Sequence, residues 1–371
     1  MKILFICAIY HQALLFRNLL DSIEEQSDNE IFVFNGVETG TVVADKFKSV
    51  IDDKVFYTEC FSKLDRILYF PKRWKQAKTL YQNVDIDKFN LIHAHSLMNN
   101  GYVAYKIYRK KHIKYIVTVR NTDINQHLKI PFLRGIANRI IDNASGVIFL
   151  SKPYRDYYTE HFIVKNKKDD FLRKSTVITN GVEQFWIDNK ACSSKCLSDN
   201  ILRLIFVGRI DKNKNIPLVL AACDELLKRD VNIKLTVIGE ATDTEELNKL
   251  YQRDYVTIKK FMTKENLIAE YRSNDIFVMP SKTETFGRVY LEAMSQGLPV
   301  IYTRGQGFDG QFDEGEIGYS VDSSNSIELA DRVQLIVDDY SSISRRALES
   351  IDKYAWSEIG KQTIEFYNKV L

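Results

Sequence analysis

Met279-Pro280-Ser281-Lys282-Thr283-Glu284-Thr285-Phe286-Gly287-Arg288-Val289-Tyr290-Leu291-Glu292-Ala293-Met294-Ser295-Gln296-Gly297-Leu298-Pro299-Val300 is the stretch from which the rest of the chain is read. A strand ends at Pro280, a loop carries Glu284, and Gly287 permits a close backbone approach. A helix then starts near Arg288 and stops at Gly297, ahead of the next strand. The first-turn N–H groups of such a helix have no partner within it, and its dipole favours an anion by roughly 0.3 to 2 kcal/mol. Glu292 lies one turn in, roughly 6 Å along the axis at about 1.5 Å per residue. Carboxylates beside an anion site repel the anion itself, so Glu284 and Glu292 suit the hydroxyl groups of a phosphate-bearing ligand.

Outward from this stretch, strand-length apolar runs alternate with segments of helical period. Ile3 to Ala8, Ile31 to Asn35, Leu91 to His93, Tyr115 to Val119 and Gly146 to Leu150 are each separated by enough residues for a crossover helix. After a polar stretch, Asp188 to Asn200, the rhythm restarts with Leu204 to Val207, Lys234 to Ile238, Val256 to Ile258, Ile276 to Met279 and Pro299 to Thr303. Continuous hydrophobicity within each run fits strands covered on both faces. The expected fold is therefore α/β, with two Rossmann-like doubly wound domains facing a cleft. They are expected to span residues 1–183 and 184–355, with an amphipathic terminal helix over 356–371. In such sheets ligands bind beyond the carboxyl ends of the strands, where most of the notable residues stand.

Composition narrows the function class. The 371 residues are 45% hydrophobic and 27% charged, ordinary globular values at about twice the usual length of one domain. No run approaches the roughly 20 apolar residues needed to cross a bilayer, and Met1 to Cys7 lacks a signal-length segment or cleavage site. The expectation is a cytoplasmic protein, peripheral at most on the inner membrane face. The five cysteines form no Cys-x-x-Cys pair, and Cys192 with Cys196 makes half a metal site at best. Charge is uneven: up to Glu183 there are 28 Lys and Arg against 20 Asp and Glu, and beyond it 24 against 29. Lys72, Arg73, Lys75 and Lys78 surround Trp74, and Lys106, Arg109, Lys110, Lys111 and Lys114 form a second cluster. Both segments read equally as a face for an anionic membrane surface or as solvated helix faces. No nucleic-acid-binding module accompanies them, so nucleic acid is not expected as a partner.

Glu284 to Glu292, with Phe286-Gly287, Glu292-Ala293-Met294 and Gly297-Leu298-Pro299-Val300 in register, resembles the E-x7-E motif of the retaining glycosyltransferases of family 4, which have the GT-B fold. The resemblance implies that Glu284 meets the transferred sugar and Glu292 the ribose of a UDP- or GDP-sugar donor. Gly208-Arg209-Ile210-Asp211-Lys212-Asn213-Lys214-Asn215 resembles the family's G-R-(I/L)-x-x-x-K-G segment, implying that Arg209 and Lys214 hold the donor diphosphate. The chemistry asks for cations independently, because glycosyl transfer leaves negative charge on the departing diphosphate. Asn215 stands where the family usually has Gly. Lys260-Phe261-Met262 occupies the base-binding position, with Lys260 in place of a common Gly. Gly208, Phe286, Gly287, Arg288 and Val289 complete the expected donor set. Asn180-Gly181-Val182 resembles the interdomain segment. Neither metal nor cofactor is implied; the nucleotide sugar is a substrate, and a glycan or lipid-linked oligosaccharide its acceptor.

The match is weaker in the first half. His93-Ala94-His95 resembles the family's H-x-H segment, with His95 expected at the acceptor or donor sugar; strand alternation points both rings the same way. Arg120 replaces the histidine of a T-x-H-G segment, so either Arg120 serves as a cationic donor or Asp123 handles the acceptor proton. The loop Ala8 to Gln12 lacks the family's paired glycines, leaving His11 as the candidate substitute. Gly305 to Gly310 fits G-x-G-x-x-G but precedes no periodic helix, so it reads as a donor-site loop and not as a nicotinamide site. Asp85-Ile86-Asp87 fits D-x-D but precedes a strand. The competing readings are a nucleotide-sugar epimerase or hydrolase of the same fold, and a catalytically silent sugar-nucleotide-binding subunit.

Overall fold

The computed structural model describes residues 1–41, 54–66, 69–197 and 200–371. Residues 198 and 199 of the polar stretch at 188–200 therefore lie outside the described residues. The chain divides into two compact units, one of residues 1–150, 154–181 and 356–371, the other of 151–153 and 182–355.

The first unit is built on seven parallel strands: β1 Lys2–Ile6, β2 Glu30–Glu38, β3 Val55–Phe61, β4 Leu91–Ala94, β5 Tyr115–Val119, β6 Gly146–Phe149 and β7 Ser175–Val177. Their order is β3-β2-β1-β4-β5-β6-β7. The second holds six: β8 Ile201–Val207, β9 Asn232–Ile238, β10 Val256–Lys259, β11 Ile276–Val278, β12 Val300–Thr303 and β13 Gly318–Val321, in the order β10-β9-β8-β11-β12-β13. Both sheets are doubly wound, as the alternating apolar runs require, and both are Rossmann-like. The chain reverses its direction of winding at β1/β4 in one and at β8/β11 in the other. Loops leaving such neighbouring strands part around a crevice.

Each strand expected from the sequence is present, shifted by up to three residues at its ends. β3, β7 and β13 were not expected, and all three lie at a sheet edge. There one side lacks a neighbour and the apolar run thins, as the half-exposed start of β3 shows. The terminal helix Trp356–Val370 belongs to the first unit, against helix Leu14–Glu25. Ser22 Oγ donates to the Trp356 carbonyl at 2.7 Å. A Cβ on Gly360 would stand 2.3 Å from Ser22 Oγ, so the helices approach at a distance only glycine permits. Among the described residues, no helix is long and apolar enough to cross a membrane.

Candidate active site

The loops after β8 and β11 leave adjacent strands at the switch point of the second sheet, and side-chain amides tie them together. Asp211 Oδ1 accepts from the N–H groups of Asn213 at 3.0 Å and Lys214 at 3.1 Å, which turns the first loop sharply. Asn213 then grips the second loop: its Nδ2 donates to the Thr283 carbonyl at 3.0 Å, and its Oδ1 accepts from Thr283 N at 3.1 Å and Oγ1 at 2.6 Å. Asn215 has φ of 59°, the left-handed conformation in which glycine is usual and asparagine is the commonest substitute. Its Nδ2 donates to the carbonyls of Pro280 at 3.1 Å and Ser323 at 2.8 Å. The departure from glycine thus keeps the backbone turn and adds a cross-link.

The result is a close ion pair, Lys214 Nζ to Glu284 Oε2 at 2.8 Å, with both side chains largely shielded. Glu284 is braced from behind, its N–H donating to Gln306 Oε1 at 3.1 Å and its carbonyl accepting from Gly307 N at 2.7 Å. A Cβ on Gly307 would stand 1.8 Å from the Thr285 carbonyl oxygen. Gly307 therefore serves close packing against the Glu284 loop, whereas Gly305 has open space around it.

The segments that follow β8 and β11 also contribute to a cavity of about 430 Å³ whose wall includes Gly208, Arg209, Phe261, Met262, Val289 and Glu292. Six of the expected donor residues thus share one space. Gly239 and Glu240 line it too, and the sequence reading missed them. The available signal was position: they follow β9 as Gly208 and Arg209 follow β8. Gly239 is irreplaceable there, since a Cβ would fall 1.9 Å from the Gly208 carbonyl oxygen. The Arg209 side chain is 67% exposed, 3.6 Å from Asp211, and free to swing toward a ligand. Gly287, at φ of 74°, opens helix Arg288–Ser295. Arg288 leans toward Glu183 at 3.9 Å.

Gly287 and Arg288 are not among the wall residues of this cavity, and two further members of the expected donor set stand elsewhere. The Phe286 ring is buried in the core against Phe308 and Tyr354, so it fixes the turn from within. Lys260 opens instead onto a neighbouring cavity of about 830 Å³, whose wall also includes Phe261, Glu240 and Tyr251. Burial pushes the Glu292 carboxyl up to about 7; Arg288 opposes this, and the negative charge of Glu183 adds to it.

In the first unit, His95 follows β4 and lies buried, its ring stacked 4.1 Å from that of His93 and 5.0 Å from that of Phe5. His95 Nδ1 is 3.4 Å from Arg120 Nη2. Burial, then the nearness of His93 and Arg120, holds its pKa well below the usual imidazole range, so it is neutral. Its Nε2 has no hydrogen-bond partner among the described residues. His93 points the same way but is committed: Nδ1 meets Tyr367 Oη at 2.6 Å and Nε2 meets Thr118 Oγ1 at 2.7 Å. Arg120 lies over Phe16 and donates to Asn180 Oδ1 at 3.2 Å.

Asp123 is fully buried and accepts from three backbone N–H groups, those of Leu97, Met98 and Arg120, each at 2.9 Å. This geometry corrects the expectation that Asp123 handles an acceptor proton: its lone pairs hold the loops after β4 and β5. His11 is likewise a loop brace. Its Nδ1 pairs with the Asn35 side-chain amide at 2.9 Å and its Nε2 with Gln12 at 2.7 Å. Asp87 is paired with Lys111 at 2.6 Å, and Cys192 and Cys196 are exposed free thiols.

Comparison with known proteins bears on the family and the fold. The family description "Glycosyl transferases group 1" matches residues 177–355, and "Glycosyltransferase Family 4" matches residues 40–184. A D-inositol 3-phosphate glycosyltransferase of Pseudarthrobacter chlorophenolicus is 29% identical over 62% of this chain and 57% of that protein. The chain thus spans under two thirds of that relative's length. Among solved structures, the apo form of the lipopolysaccharide outer core galactosyltransferase WaaB superposes with a TM-score of 0.76 at 16% identity, each chain covered in full. Anabaena HepE in complex with UDP-glucose gives 0.66 at 18%, also over both full chains. At these identities the likeness is one of fold. With one family description on each half of the sequence and this fold beneath them, the chain belongs to the GT-B glycosyltransferases of the family 4 type.

Proposed function

We propose that this protein is a metal-independent, retaining hexosyltransferase that moves a sugar from a nucleotide-diphosphate donor to a glycan or lipid-linked oligosaccharide in cell-surface polysaccharide synthesis. The observation that carries the reading is that Arg209 and Lys214 follow β8 while Glu284 and Glu292 follow the adjacent β11, with Lys214 paired to Glu284 and with Arg209 and Glu292 on one cavity wall. The donor lies in the cavity beside β8, with its ribose at Glu292. Its diphosphate is held by Arg209, Lys214 and the first-turn amides of helix Arg288–Ser295. Before a donor binds, Lys214 and Glu284 neutralise each other. Diphosphate draws Lys214 away and leaves the Glu284 carboxylate to accept from sugar hydroxyls. UDP is the favoured carrier, since HepE, of the same fold, binds UDP-glucose.

As the glycosyl bond lengthens, charge builds on the β-phosphate, and preorganised cations stabilise it. Front-side attack by the acceptor hydroxyl gives retention, the β-phosphate oxygen taking the proton, so the neutral His95 need not act as a strong base. His95 and Arg120 serve the acceptor as hydrogen-bonding groups on the first unit, with Asp123 positioning their loops. WaaB is named for transfer onto lipopolysaccharide, which supports a surface-glycan acceptor of capsular or lipopolysaccharide type.

The test is release of nucleoside diphosphate from a panel of UDP- and GDP-sugars, with thermal shift as a binding readout. Lys214→Met and Glu284→Gln should each slow release by about 10² to 10³. Near-normal release by both variants would overturn the reading.

A further inference from the structure

The first unit carries an outward face that the donor site leaves unused. On helix Tyr69–Asn83, Arg73, Gln76, Ala77 and Leu80 turn inward. Phe70, Trp74 and Lys78 recur at every fourth position and form one outer stripe. Lys78 Nζ stands 6.0 Å from the Trp74 ring centre. The turn Lys63–Arg66 is tied to this helix by the Lys75 to Asp65 pair at 2.8 Å and carries Leu64 beside it. On the other flank Phe70 meets Tyr102 of helix Asn100–Lys111 at 6.0 Å, and Lys106 stands over Tyr102. Tyr69 reaches His127 at 6.4 Å, and the turn His127–Lys129 leads directly to Ile130 and Phe132. Leu64 is 77%, Trp74 62% and Phe132 60% exposed.

Large apolar side chains in one neighbourhood, interleaved with lysines, are costly in water. The same pattern suits the headgroup boundary of a bilayer, where aromatic rings settle and lysines meet anionic lipid. Base-stacking would account for Trp74 and Phe70 but gives Leu64 and Ile130 no task.

We propose that the face formed by Leu64, Phe70, Trp74, Ile130 and Phe132, with Lys78 and Lys106 around it, seats this domain on an anionic lipid bilayer. It deepens the transferase reading by naming the surface from which a lipid-linked acceptor is presented.

The chain carries its own reporter. Of its three tryptophans, Trp186 and Trp356 are buried and Trp74 is exposed. The full chain is mixed with vesicles of phosphatidylcholine alone, or with phosphatidylglycerol added, with and without bromine-labelled acyl chains. Expected are sedimentation with the anionic vesicles only, weakened by salt, and bromine quenching that Trp74→Phe abolishes. Lys78→Gln with Lys106→Gln should weaken binding about 25-fold, at about fivefold for each charge. Phe132→Ala should reduce binding while the unfolding curve stays unchanged, since its ring is on the surface. Equal binding to neutral vesicles, binding without Trp74 quenching, or tighter binding to single-stranded RNA than to anionic vesicles would each overturn the proposal. Vesicle binding without nucleotide-sugar turnover would refute the transferase reading alone; turnover without vesicle binding would refute only the bilayer seat.

Discussion

Replacing Glu292 by Gln should flatten the pH dependence of stability in the ligand-free protein. The Glu292 carboxyl has an ordinary value of 4.5 and is raised to about 7 in the folded chain, chiefly by burial. Because the folded value is the higher one, the native state binds the extra proton. The resulting stability is fully present below pH 4.5 and is lost as pH rises through 7. At about 1.36 kcal/mol per pH unit, a single group with these two values contributes a loss of about 2 to 3 kcal/mol between pH 5 and pH 8. Glutamine keeps the shape and cannot ionise, and every other titrating group is common to both proteins. The difference between the two urea-unfolding curves across this pH range therefore isolates Glu292. The variant should gain about 2 to 3 kcal/mol on wild type as the pH goes from 5 to 8, with unchanged denaturant slopes. Curves that stay parallel across the range would refute the argument and put Glu292 in contact with water. Nucleotide binding supplies a second arm. If the carboxyl accepts from ribose hydroxyls, wild type should bind UDP more tightly at pH 8 than at pH 6, and the Gln variant should lose that preference.

The Lys214 and Glu284 substitutions should be strongly non-additive, because each removes the other's partner at 2.8 Å; a double-mutant cycle on turnover checks this, and independent effects would deny their coupling. Asn215→Ala should cost about 2 to 3 kcal/mol in urea unfolding, of which about 1 to 2 is left-handed backbone strain and the remainder lost hydrogen bonds. Asn215→Gly should recover the backbone part only. Asp123→Asn should destabilise the protein by roughly 2 to 4 kcal/mol, since its amide nitrogen would face a backbone donor. Activity lost in that variant with unfolding unchanged would make Asp123 a reacting group and not a positioning one.

The double winding was legible because its central strands are covered on both faces: Leu204, Ile205 and Phe206 leave no room for a polar alternation. The same physics hid β3, β7 and β13, whose edge positions relax the need for apolar runs. Second-domain site residues were legible where the chain itself must do something unusual. Glycine at 287, a cation after a strand and a carboxylate one turn into a helix leave traces in order along the sequence. What could not be read was commitment. Nothing local distinguishes His95, with one ring nitrogen unspent, from His93, whose nitrogens go to Thr118 and to Tyr367, 274 residues away. Asp123 and His11 carry the residue types of acid–base chemistry, but backbone and amide groups, Leu97, Met98 and Asn35 among them, have already taken their lone pairs and protons.

That difference in commitment orders the candidate residues. A group whose hydrogen bonds are all spent on its own chain holds geometry, as Asn213 does in clamping Thr283. A group balanced only by another ligand-facing group, as Lys214 is by Glu284, exchanges its partner when a better one arrives. On the proposed reading, diphosphate carries more charge than one carboxylate and reaches Arg209 as well, so it outcompetes Glu284 for the lysine. Release of Glu284 is then a consequence of phosphate binding, and recognition of the sugar follows recognition of the nucleotide that carries it.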